Sequence, residues 1–120
     1  MIKSRHFTES EFKKCVPSCS LQDMRQSTMN RFDTARDIAD IPFVINSAYR
    51  SSSWEKSKNR SGTGSHSLGC AMDIRCNTNS NRFKIISALV KAGFTRIGVA
   101  ETYIHADDSI NHSQEVIWLY

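Results

Sequence analysis

The sequence predicts a small single α+β domain in which an antiparallel sheet carries its helices packed on one side. Three observations predict it. The chain has 120 residues, the length of one domain. Its first third carries apolar residues at helical steps, whereas the later apolar runs are short and rich in β-branched and aromatic residues. One further helical pattern interrupts those runs, so strands and helices are segregated rather than strictly alternating.

The elements follow in order. "FTESEF" (7–12) sets Thr8 three residues before Glu11, a capping-box spacing that starts a short helical turn. Pro17, between Cys15 and Cys19, marks a loop. Ser20 and Asp23 form a second capping box, and Leu21, Met24, Thr28, Phe32, Ala35 and Ala39 then recur at steps of three and four, predicting one helix to about Asp40. Pro42 stops it, and "FVINSAYR" (43–50) reads as a strand. The polar, Ser- and Gly-rich stretch 51–64 reads as a long loop, and loops of that length inside a compact domain tend to be functional. "CAMDIRC" (70–76) is a second strand. Asn79 and Ser80 cap a helix through Lys91, with Phe83, Ile86 and Val90 on its apolar face and Gly93 as its stop. "TRIGVA" (95–100) and "TYIHAD" (102–107) form a strand pair bent near Glu101, and "EVIWLY" (115–120) is the last strand.

Composition excludes several functions. No apolar run reaches the length of a membrane span, and the N-terminal residues lack the apolar stretch of a signal peptide. The expectation is a protein made in the cytoplasm, without membrane insertion. The net charge of +4 favours polyanionic surroundings, but the basic residues are interleaved with acids and form no stripe for nucleic acid. Cys15, Cys19, Cys70 and Cys76 leave three readings open: buried reduced thiols, a disulfide formed after release, or part of a structural metal site. A monomer is the default.

The chemistry concentrates in "SHSLGCAMDI" (65–74). His66 ends the long loop, Gly69 suits a turn, and Asp73 lies inside an apolar strand. A carboxylate there is costly unless it is paired or binds a metal. It is either a metal ligand, or a salt-bridge partner of Arg75 or Arg50, or a turn cap. His105 lies in a third element with Ile104 facing the other way, and a catalytic zinc takes three such ligands.

"SAYRS", "WEKSKNRSG", "SHSLGCAMDI", "GFTRIGVAETYIHAD" and the terminal "VIWLY" together resemble the M15 family of zinc peptidases, and "HFTESEF" resembles the start of its small phage-type members. The family contains D-Ala-D-Ala carboxypeptidases and peptidoglycan endopeptidases and shares its fold with the Hedgehog signalling domain. The resemblance implies a Hedgehog/DD-peptidase-like fold, Zn²⁺ held by His66, Asp73 and His105, and hydrolysis of peptidoglycan peptides by a metal-activated water. It implies action on the cell wall after release, as in a phage-infected host.

Arg50 falls on the family's arginine, which binds substrate or stabilises the developing oxyanion. Several branches place an acid three residues before the last histidine, a position that is Thr102 here. Glu101 stands one residue further away and is ranked first as base. Asp107 is second, as base or as the residue orienting His105, and His112 follows. Tyr103 shares the face of His105 in a regular strand and reaches substrate or packs. Trp54 lines the groove or anchors the loop. The alternative function is a wall- or partner-binding module that keeps the zinc and the fold without catalysis.

Overall fold

The computed structural model describes all residues, Met1–Tyr120. Helix α1 (Glu9–Lys13) is followed by a short 3-10 turn at Leu21–Asp23, helix α2 (Gln26–Ala39), strand β1 (Ile45–Ser47) and helix α3 (Ser52–Ser57). A second 3-10 turn (Ser65–Leu68) leads into β2 (Ala71–Arg75), then α4 (Asn79–Lys91), β3 (Arg96–Val99), β4 (Tyr103–Asp107) and β5 (Val116–Leu119). The five strands form one sheet in the order β1-β2-β4-β3-β5. All pairs are antiparallel except β3 with β5. The α+β expectation holds.

The parallel pair has a simple cause. Strand β4 ends with Asp107 opposite Arg96, and β5 begins with Val116 opposite the same Arg96. The intervening segment 108–115 therefore passes the start of β3, and β5 has to run in its direction.

Alternation along the strands divides the sheet into two faces. Met72, Ile74, Ile97, Ile104 and Ala106 point to one side and join Met29, Phe32 and Ala35 of α2, Ile85, Ala88 and Leu89 of α4 and Phe12 of α1 in one buried core. Phe32 and Phe94 stack there with ring centroids 4.5 Å apart. Asp73 and His105, one residue out of phase, point to the opposite face. The core thus holds the sheet rigid while leaving its other side for chemistry.

The helix expected over Leu21–Asp40 is divided. Ser20 and Asp23 do form a capping box, but it closes only the 3-10 turn. Met24 and Arg25 are extended, and the Arg25 amide donates to the Gly69 carbonyl (2.9 Å) instead of continuing a helix. Gly69 itself adopts a left-handed conformation (φ 72°), and a Cβ there would stand 2.5 Å from the Asp23 carbonyl oxygen. The two segments are built against each other.

Three further expectations are corrected. Strand 43–50 is paired only over Ile45–Ser47. Thr78, not Asn79 or Ser80, caps α4, its hydroxyl accepting from the Asn81 amide. The buried face of α4 is Ile85, Ala88 and Leu89, whereas Phe83 is 76% exposed and Val90 52%. Gly93, at φ 100°, follows the helix end as expected.

Candidate metal centre and active site

Residues 51–64 are not a plain loop. Ser51 caps α3, accepting from the Trp54 amide, and this turn brings Glu55 back towards Arg50. The ends of the segment are zipped together: the Arg50 amide donates to the His66 carbonyl (3.3 Å) and Ser67 Oγ donates to the Arg50 carbonyl (2.8 Å). His66 is thereby held over the open face of the sheet, where Asp73 and His105 are direct cross-strand partners.

His66 Nε2, Asp73 Oδ1 and His105 Nδ1 converge. Their separations are 3.4 Å (His66 to Asp73), 3.0 Å (Asp73 to His105) and 3.2 Å (His66 to His105). All three residues are buried. The far nitrogen of each histidine is engaged. His66 Nδ1 donates to the Ala48 carbonyl (2.5 Å), which leaves its Nε2 lone pair free to bind a metal. His105 Nε2 meets Asp107 Oδ2 at 2.6 Å. This is a candidate metal site with both rings fixed from behind.

Without a metal, the charges of these groups are coupled to one another. Burial raises the Asp73 pKa, but hydrogen bonds from His105 and His66 outweigh it and hold the carboxyl well below the ordinary range. Burial disfavours the His105 imidazolium, yet Asp107 and Asp73 outweigh that and raise its pKa. Asp107 is fully buried and held low. Its carboxylate also accepts from Arg96 Nε (2.7 Å) and the Ser109 amide (3.1 Å).

Arg50 lies beside the triangle. Its Nε donates to Glu55 Oε1 (2.6 Å), and its Nη1 lies 3.3 Å from Ser47 Oγ and 3.8 Å from Asp73 Oδ2. Arg60 Nη1 takes the second Glu55 oxygen (2.9 Å). A cavity of about 380 Å³ opens over the ligands. Tyr103, His112, Trp118 and Tyr120 line it together with Arg50 and Glu55.

A family model, Peptidase M15, matches residues 5–107. The chain belongs to the peptidase M15 family. Membership points to peptide-bond hydrolysis as the chemistry, and the three converging ligand atoms give this M15 protein a candidate metal site. A comparison with curated proteins returns no match.

Two residues read as functional in the sequence lie elsewhere in this M15 domain. Glu101 is exposed in the turn between β3 and β4, outside the cavity lining, and its side chain has no hydrogen-bond partner. Only its carbonyl is used, accepting from Arg82 Nη2 of α4 (3.0 Å). Trp54 does not line the cavity. Its ring packs under the guanidinium groups of Arg50 and Arg60 and the Lys58 ammonium, 5.5–5.9 Å from its centroid. Tyr103 does line it, with its ring 5.3 Å from that of Tyr120.

The sequence reading missed Trp118, which lies beyond the family match. Gly98 stands between His105 and Trp118 in register, and a Cβ on it would meet the indole at 2.6 Å. That glycine lets the Trp118 ring reach to 5.4 Å from the His105 ring. All four cysteines are free thiols, and burial pushes Cys70 up to about 11, away from nucleophilic use.

Proposed function

We propose that this chain is a zinc-dependent peptidase that hydrolyses peptide bonds in peptidoglycan stem peptides or cross-links. The observation that carries it is the triangle of ligand atoms. Atoms about 2.0–2.1 Å from a tetrahedral zinc are separated by about 3.3–3.4 Å, and the edges here are 3.0–3.4 Å. Two imidazole nitrogens and one carboxylate oxygen are a donor set that zinc accepts, and three protein ligands are the count of a catalytic site. Zinc held there supplies a Lewis acid and lowers the pKa of water towards neutrality.

The chain's own residues supply the rest. Arg50, pinned by Glu55, presents the remaining guanidinium donors to a substrate carbonyl or terminal carboxylate. Trp118 and Tyr120 line one side of the cavity with aromatic surface. The Glu55 carboxylate is committed to two arginines and that of Asp107 to His105, Arg96 and Ser109. His112 is the lining group left to move a proton. Its Nδ1 lies 2.7 Å from Ser109 Oγ, and the tautomer that donates there leaves Nε2 as the acceptor this role requires. The resemblance to wall-degrading peptidases and the positive net charge support peptidoglycan as substrate.

The commitment of those two carboxylates also favours a second reading, a zinc-containing wall- or partner-binding module of the same fold. Zinc content and muropeptide cleavage of wild type, His66→Ala, Glu101→Gln and His112→Gln separate the two. The peptidase reading expects zinc and cleavage in wild type and neither in His66→Ala. It expects cleavage intact in Glu101→Gln and reduced by about 10²–10⁴ in zinc-loaded His112→Gln. Zinc-loaded wild type that binds muropeptides without cleaving them supports the module.

A further inference from the structure

A second cavity, of about 940 Å³, adjoins the metal centre along β1. Asp73 and Tyr103 line both cavities, so the two adjoin at one corner of the ligand triangle, Asp73. The buried side chains of Phe7, Phe43 and Ile45 contribute apolar lining. Lys14, which follows the end of α1, Arg36 of α2 and Arg75 of β2 contribute cations.

None of these three cations has a side-chain partner within the protein. By contrast, Arg5, Arg50, Arg60 and Arg96 are all ion-paired. The carboxylates lining the cavity are Glu11 and Asp73, and Asp73 is committed to the histidines. His6 is committed to Asp37. Three unpaired cations around an apolar lining complement an extended ligand that carries carboxylates.

We propose that this cavity binds the acidic arm of the peptide substrate, holding its free carboxylates on Lys14, Arg36 and Arg75 while the scissile bond lies at the His66–Asp73–His105 triangle. The proposal rests on the peptidase reading for the identity of the ligand as substrate. The cavity itself is tested by binding, apart from turnover.

The test uses a labelled tetrapeptide with two free carboxylates and its amidated counterpart, on the full chain. Anisotropy gives binding to wild type, to His66→Ala and to an Arg36→Glu/Arg75→Glu double variant, and cleavage kinetics are run in parallel. Lys84→Glu on α4 reverses a charge away from both cavities as a control. The expected result is tighter binding of the acidic peptide, kept in His66→Ala and Lys84→Glu and weakened about 10- to 100-fold by the double reversal.

Rising salt must weaken the acidic preference of wild type as charges are screened, a readout that survives if the double variant does not fold. Equal binding of the two peptides, or a preference untouched by reversal or salt, overturns the proposal. Cleavage of both peptides by wild type then leaves the peptidase reading standing. A preference lost on reversal, without cleavage by any form, supports the cavity and removes the peptidase reading.

Discussion

Asp107 shows how one buried carboxylate organises a site whose cavity it does not line. It fixes the ring of His105 from behind at 2.6 Å, and Arg96 and the Ser109 amide hold it in turn. An Asp107→Asn chain keeps the shape but loses the charge that makes the imidazole a stronger donor. Chelator competition should report zinc affinity lower by about 10- to 100-fold. Unchanged affinity means that His105 needs no orienting partner. The sequence carried part of this, since His105 and Asp107 share a strand face. It carried nothing of Arg96, which meets Asp107 through cross-strand pairing. Glu101 lies outside the cavity lining for a similar reason. Its distance from His105 along the chain suggests reach, but the turn directs its carbonyl to Arg82 and leaves its side chain in solvent.

At the scale of elements, the N-terminal segment is tied to α2 by polar contacts. The buried Asp33 accepts from Ser4 Oγ and from the Arg5 and His6 amides, and exposed Asp37 pairs with Arg5 and His6. Hydrogen bonds from Arg5, then His6, pull the Asp37 carboxyl from its usual 3.8 to about 2. A depressed carboxylate stabilises the fold above its unfolded value and loses that contribution as pH falls through the folded one. The stability gap between wild type and Asp37→Asn should therefore be present near neutrality and close as pH falls from about 4 towards 2. Urea unfolding at a series of pH values measures it. Added salt should shrink the gap, because the pair is exposed.

The elements also show where sequence periodicity misleads. Strand β2 and helix α4 were legible because an acid in an apolar run and a long apolar repeat are local signals. The buried face of α4 was not. Two apolar stripes compete on it, and packing against α2 and β4 selects Ile85, Ala88 and Leu89 over Phe83 and Val90. Helix α3 was hidden by its serines, which read as loop although Ser51 is an N-cap. The break before α2 depends on an amide bonded to Gly69, distant in sequence.

For the whole molecule, the division of the sheet into a core face and a site face separates stability from metal binding. The apolar core lies on the side away from His66, Asp73 and His105, so the fold does not depend on the metal to bury it. The full chain should unfold cooperatively without zinc. At zinc about a hundredfold above its dissociation constant it should gain about 2.7 kcal/mol, a rise of about 10 °C in Tm for a domain of this size. An unfolded metal-free chain in circular dichroism contradicts this division.

The central claim is that two histidines and one aspartate hold zinc on the open face of the sheet. X-ray absorption at the zinc edge of the loaded full chain tests it most directly. The account predicts a first shell of nitrogen and oxygen at about 2.0–2.1 Å with the outer scattering of two imidazoles. A sulfur shell at about 2.3 Å would put the metal on the cysteines instead and contradict it.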